Sequence, residues 1–277
     1  MEAIVLALGA SLSWGLADFF GPLQGRVLGA LRALVYVQLG GLAAIAVIVA
    51  ARGAGPASAA VLLAIPAAIS GTLGLFAYYR GIAVGAISIV APIAGISAVV
   101  PVVVGIASGE SPSSWQLAGM ACALAGVFLA AREPRRAGEA RLAAGVGLAL
   151  LAAIGFGGYF PFMHAAGNAD FWWASLVFRL MSTAVILAAV AVRRPDIRVA
   201  PRLLPILALI GFGDMFGNLL YAAASATGLV SITSVLASLY PIVTVVLARV
   251  VLSERVARSQ EAGIGLTLAG VALISVG

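Results

Sequence analysis

Hydrophobic residues in this chain come in long blocks instead of alternating with polar ones, and polar residues, glycines and prolines gather between the blocks. About 20 apolar residues in a helix rising 1.5 Å each span the ~30 Å hydrocarbon layer of a membrane, whereas a half-buried strand shows a period of two. Ten blocks approach or exceed that length: Ala3 to Leu23, Leu31 to Ala51, Ala60 to Tyr79, Ile82 to Ala107, Trp115 to Ala131, Leu142 to His164, Phe171 to Val192, Leu203 to Ala226, Leu229 to Leu252 and Ala262 to Val276. The pattern predicts an all-α integral membrane protein with ten transmembrane helices. The third and fourth blocks, and the eighth and ninth, are joined by very short connections.

Composition agrees with the pattern. Of 277 residues, 63% are hydrophobic and 9% charged, and the mean hydropathy of +1.15 excludes an ordinary soluble domain. The first block follows only Met1 and Glu2, with no basic leader, so it reads as a permanent helix and not a cleaved signal. The single cysteine, Cys122, offers neither a disulfide framework nor a cysteine-based metal site.

The net charge of +6 rests on 16 basic residues, all arginine. Thirteen of them (26, 32, 80, 132, 135, 136, 141, 193, 194, 198, 202, 255 and 258) lie in or beside the odd-numbered connections, against Arg52 on the other side. The positive-inside rule then makes the odd connections cytoplasmic and places both termini outside. These arginines read as topology determinants facing membrane lipids, and no nucleic-acid partner is expected.

The chain also repeats itself. "LFAYYRGIAVGAIS" and "NLLYAAASATGLVS" align at an offset of 143, matching Gly74 with Gly217, Tyr78 with Tyr221, Gly85 with Gly228 and Ser88 with Ser231. At an offset of 144, Glu110 pairs with Glu254, Gln116 with Gln260, Gly119 with Gly263 and Gly126 with Gly270. Residues 1–136 and 137–277 thus form two five-helix repeats. Because five is odd, the second enters the membrane inverted, an architecture suited to alternating access.

Two five-span halves, Trp14-Gly15 in the first block, and "GES" or "SER" before "QxxG" resemble the EamA family of the drug/metabolite transporter superfamily. The longest similar block is "ASLYPIVTVVLARVVLSERVARSQEAGIGLTLAGVALI" (Ala237 to Ile274), and "YYRGIAVGAISIVAPI" (Tyr79 to Ile93) is its first-half counterpart. The resemblance implies export or exchange of small metabolites through a central cavity, often driven by protons. Two features depart from the family. Ser97 stands opposite Pro241, with Pro92 and Pro101 nearby instead, and the arginine distribution reverses the usual cytoplasmic termini.

Ionisable groups inside the blocks are few: Asp18, Arg179, Asp214 and Arg249, with His164 and Asp170 near a boundary. On insertion scales each costs roughly 2.5–3.5 kcal/mol at mid-membrane, so each must face a cavity, a partner or the interface. Asp214 stands roughly 16 Å into the eighth block, near the midplane, with Asn218 and Tyr221 at i+4 and i+7 beside Gly217. A carboxylate there can take up and release a proton, and Asp214 is the first candidate for coupling.

Arg179 reaches a similar depth, roughly 20 Å from the same side. It either forms a structural ion pair with Asp214 or serves transport, binding an anionic substrate group or competing with a proton. Asp18 lies roughly 7–8 Å from the end of the first block, with Trp14 at i−4 and Gln38 at a comparable level. It reads either as an interfacial carboxylate paired with Arg26, Arg32 or Arg80, or as a second coupling candidate at the cavity mouth. Ser231, Ser234, Ser238 and Pro241 form a stripe at i, i+3, i+7 and i+10, adjoined by Tyr240, although single serines in spans more often back-bond to their own helix. Tyr78 joins the cavity candidates as the repeat partner of Tyr221. Trp115, Trp172 and Trp173 read as interfacial belt residues, His164 as a helix end, and Gly119, Gly126, Gly263 and Gly270 as sites of close helix packing.

No catalytic constellation, metal cluster or nucleotide loop is readable, and no cofactor is expected. The function expected is a proton-coupled secondary transporter in a plasma (inner) membrane, exporting or exchanging a small organic metabolite such as an amino acid or amine, as a monomer or homodimer. A lipid or polyprenyl-phosphate flippase is the alternative, with Arg179 gripping the phosphate, and an intramembrane enzyme comes third.

Overall fold

A computed structural model of the protein describes residues 1–84, 90, 94–130, 139–251 and 258–276, and every element among them is helical. Gly85, Ser88, Pro92, Arg132, Arg135, Arg136, Glu254 and Arg255, which entered the sequence reading, lie outside the described residues, as do the side chains of Arg141, Arg249 and Gln260. Helices α1 (Glu2–Leu28) and α2 (Ala30–Arg52) are separated by Gly29 alone, whose φ of 89° lies in the region open to glycine. Then come α3 (Ala64–Val84), α4 (Val99–Ala107) and α5 (Ser114–Ala130).

The 55-residue helical stretch α6 (Glu139–Arg193) breaks into two limbs at Asp170, where φ and ψ are −169° and 104°. The Asp170 carboxylate accepts from the backbone N–H groups of Trp172 and Trp173 at 3.0 and 3.2 Å, capping the second limb. The remaining helices are α7 (Leu204–Thr227), α8 (Val230–Ala237), α9 (Tyr240–Val251) and α10 (Arg258–Val276). Ser238 and Leu239 interrupt what the hydrophobic pattern reads as one ninth helix.

Among the described residues, five stretches are long and apolar enough to cross a membrane: Glu2–Leu28, Ala30–Arg52, Ala59–Val84, Gly147–Arg193 and Pro201–Thr227. Four shorter apolar helices accompany them: Ile96–Ala107, Ser114–Leu129, Val230–Thr244 and Glu261–Ile274. The burial pattern suits lipid. Val47, Ile154 and Leu209 are each 68% exposed, while Gln38, Arg179 and Ser182 are buried. Apolar side chains outside and hydrogen-bonded polar groups inside make this a multi-pass membrane protein.

Connections gather at two ends of the bundle. At one, Arg32 Nε donates to the Asp196 carbonyl at 2.7 Å, Tyr36 OH to that of Ile197 at 2.9 Å, and Arg26 to that of Ile82 at 3.3 Å. This joins the connections after α1, α3 and α6. At the other end the Arg52 guanidinium sits 4.7 Å over the Trp172 ring, and Trp173 Nε1 donates to the Ala54 carbonyl at 2.9 Å. The belt residues Trp172 and Trp173 thus tie the α2 end to the start of the second α6 limb.

Glycines let several pairs of helices touch backbone to backbone. A Cβ on Gly211 of α7 would collide with the Val37 carbonyl and stand 2.9 Å from the Gly41 nitrogen of α2. Likewise a Cβ on Gly119 of α5 would stand 2.7 Å from the Gly270 carbonyl of α10. Without a hydrophobic drive between helices in lipid, such contacts carry much of the association.

Candidate functional site

A cavity lies among six helices. Trp14 and Asp18 reach it from α1 and Gln38 from α2; Gly71, Thr72 and Leu75 come from α3, and Phe156, Tyr159 and Phe160 from the first limb of α6. Phe178 of the second limb, Asp214 and Asn218 of α7, and Tyr240 of α9 complete the wall. About 60 Å³ is open to the centres of water-sized molecules, room for a few waters at ~10–15 Å³ each.

Arg179 knits three helices behind that wall. Its Nη1 donates to Asp214 Oδ2 at 2.8 Å and to Gln38 Oε1, which also accepts from Ser182 Oγ at 3.3 Å. The guanidinium lies 5.8 Å over the Phe178 ring. Gly41 makes the space, since a Cβ there would stand 3.2 Å from Arg179 Cζ. The sequence placed Arg179 and Asp214 at similar depth, and the structure brings them into contact. Arg179 itself is fully buried and does not line the cavity. Its Nε and Nη2 have no hydrogen-bond partner among the described residues.

Asp18 stands elsewhere than its distance from Leu23 suggests. Pro22 does not end α1, which runs on to Leu28, so Asp18 lies about 15 Å from the end of its helix and not half that. It is 9% exposed, faces the same cavity as Asp214, and makes no ion pair or hydrogen bond among the described residues. The arginines that offered it a partner are engaged or turned away: Arg26 with Ile82, Arg32 with Asp196 in a 3.6 Å ion pair, and Arg80 to the surface. Gln38 shares the cavity with Asp18, but its hydrogen bonds go to Arg179 and Ser182.

Trp14 fills the heart of an aromatic cluster. Its ring meets Tyr159 at 5.8 Å and Phe160 at 6.1 Å, both edge to face, and Tyr221 at 6.0 Å. Gly217 accommodates it, because a Cβ there would meet the indole at 2.5 Å. Edge-to-face rings contribute about 0.5–1.5 kcal/mol beyond their buried area, which makes this wall stiff.

The other residues singled out from the sequence divide into two groups. Asn218 lines the cavity while its Nδ2 donates to the Asp214 carbonyl at 2.8 Å, and Tyr240 lines it with a hydroxyl that finds no partner among the described residues. Tyr221, Ser234, Tyr78 and Ser238 are buried but do not line it. Tyr221 OH instead lies 2.9 Å from Ser234 Oγ and donates to the Phe160 carbonyl at 3.2 Å, tying α6, α7 and α8. His164 lies 3.2 Å from Asn168 Nδ2, one turn on in a helix that continues to the Asp170 break.

Sequence reasoning missed Thr72 and Tyr159, two more cavity residues whose hydroxyls lack partners among the described residues. A signal existed for Tyr159, which follows three glycines in "GFGGY". Gly155 and Gly158 bring α6 against α3, where Ser70 Oγ donates to the Gly155 carbonyl at 2.9 Å, while Gly157 faces Val100 of α4. Glu110 also surfaced only as a repeat match. Its carboxylate accepts from the backbone N–H groups of Val230 and of Ser231, the latter at 3.0 Å, joining the connection after α4 to the start of α8.

Residues 143–276 match the EamA-like transporter family. No curated protein matches the chain. A solved structure described only as "Crystal structure of protein" superposes with a TM-score of 0.80 at 17% identity, covering 100% of this chain and 96% of its own. The chain shares that structure's fold over its whole length.

Proposed function

We propose, from the match of residues 143–276 to the EamA-like transporter family, that this protein is a secondary active transporter that exports or exchanges a small organic metabolite, such as an amino acid or amine. Transport is proton-coupled and proceeds by alternating access of two inverted five-helix repeats, ten spans in all, in a plasma membrane with the arginine-rich connections cytoplasmic. The substrate and protons are its partners, membrane lipids surround it, and it works as a monomer or homodimer.

The observation that carries this reading is the cavity: helices from both halves of the chain surround it, and two carboxylates stand in its wall. An intramembrane carboxylate that faces a cavity marks an ion or substrate path. Asp214 serves as the coupling residue, releasing Arg179 when it takes a proton, with Asp18 as the second carboxylate. Trp14, Gln38, Asn218 and Tyr240 contact the substrate, while Tyr78, Tyr221, Ser234 and Ser238 support the wall from behind. The flippase alternative loses support, because it needs Arg179 at an opening between helices, and that side chain is wholly buried against Asp214 and Gln38.

The test is flux into proteoliposomes over a panel of amino acids and amines, with and without an imposed pH gradient. Asp214→Asn, normalised to folded protein, is expected to lose at least tenfold of the gradient-driven component. Equal gradient-driven flux in variant and parent would remove Asp214 from coupling.

A further inference from the structure

The charge balance of the cavity points to its substrate class. Three charged groups belong to it: Asp18 and Asp214 in the wall and Arg179 behind. The 2.8 Å ion pair neutralises Asp214, and Gln38 adds a hydrogen bond to the same guanidinium. Asp18 is left as a nine-tenths-buried carboxylate with no cation beside it among the described residues.

Removing a carboxylate from water without a partner is unfavourable, and a cation entering the cavity offsets that cost. An anion meets the opposite situation, since Arg179, the buried cation beside the cavity among the described residues, stands behind Asp214 and is already paired. The walls agree with the charge. Trp14 lies one turn before Asp18, and Phe156, Tyr159, Phe160 and Tyr240 face the same space. Aromatic faces attract a desolvated cation through the negative charge of their π-systems. The hydroxyls of Thr72, Tyr159 and Tyr240, which have no partner among the described residues, offer acceptors for ammonium N–H groups.

We propose that the cavity selects a small monovalent organic cation, an amine in its ammonium form or a quaternary ammonium, with its charge at Asp18 and its apolar body against the aromatic wall. The inference rests on the transport reading of this cavity, but it is tested by binding alone, so the two fail separately. The full chain in lipid nanodiscs is titrated calorimetrically with phenethylammonium and tetramethylammonium, with neutral 2-phenylethanol, and with anionic 3-phenylpropionate. At least one cation is expected to bind tenfold or more tightly than both the neutral and the anionic probe.

Asp18→Asn is expected to weaken the cation tenfold or more while leaving 2-phenylethanol within threefold, and Asp18→Glu to recover part of the loss. An unchanged elution profile and unfolding midpoint show that each variant is folded. The proposal is overturned if neither cation binds, if the neutral or anionic probe binds as tightly as the cations, or if Asp18→Asn binds cations like the parent. Cation binding without any flux in proteoliposomes would overturn the transport reading and leave the charge assignment standing.

Discussion

Asp18 on α1 and Asp214 on α7 are two carboxylates in the wall of one cavity, yet their surroundings differ in kind. Asp214 is 15% exposed and held at 2.8 Å by a guanidinium that also binds Gln38. Asp18 is 9% exposed and faces aromatic rings without an ion-pair partner among the described residues. Burial alone therefore does not say what a charge inside a membrane protein does. A paired carboxylate fixes helices to one another, and an unpaired one leaves the cavity with a net charge that a ligand or proton must answer.

This contrast predicts opposite stability effects. Removing one partner of a buried ion pair strands the other and costs about 3–5 kcal/mol. Arg179→Met and Asp214→Asn are both expected to unfold in that range below the parent in denaturant titrations in detergent. Asp18→Asn is expected to match the parent or exceed it, because it strands nothing. A comparable loss in Asp18→Asn would break the distinction.

The Glu110 clasp provides an intermediate case. Its carboxylate satisfies the first N–H groups of α8 across a separation of 120 residues. Hydrogen bonds to a charged group contribute about 1.5–3 kcal/mol, and Glu110→Gln keeps the shape while removing the charge and one of the two acceptor oxygens. A loss of about 1–2 kcal/mol is expected, along with faster amide exchange at Val230 and Ser231. Unchanged exchange would show that the α8 start is held by other means.

The smallest effect carries the comparison to the tyrosines. Tyr221 OH bonds the Phe160 carbonyl and Ser234, whereas Tyr240 OH has no partner among the described residues. Tyr221→Phe is expected to cost about 0.5–1.5 kcal/mol, and Tyr240→Phe close to nothing, because only the first breaks an existing bond. Tyr240→Phe is expected instead to change substrate affinity, measured in the same nanodisc titrations.

Much of the architecture was legible because lipid imposes simple rules. Long apolar blocks must be helices, since every backbone N–H and C=O in the bilayer needs an internal partner. The break at Asp170 shows where the rule blurs: the sequence marks a boundary there, while the helical hydrogen bonding of α6 continues on both sides of a single extended residue. The interruption at Ser238 and Leu239 was not read from the sequence, although Pro241 marks it: proline has no N–H to donate to the Ala237 carbonyl one turn back. Within the site, counting 1.5 Å steps put Arg179 and Asp214 at similar depth and left an ion pair between them as one of two readings; the structure makes the contact. The position of Asp18 did not, because the count was taken from the last apolar residue, and α1 runs a further turn past Pro22 into a polar segment.

By itself the sequence determined that this chain is a helical multi-pass membrane protein with few buried charges, because hydropathy and charge placement answer to the bilayer one segment at a time. Only the tertiary structure decided which charges are paired, which hydroxyls are left open, and that Tyr221 and Ser234 bond each other while Tyr240 faces the cavity. Those outcomes depend on how helices distant in sequence turn toward one another. That rotation is set by contacts such as Gly211 against Val37 and Gly217 against Trp14, which no single segment encodes.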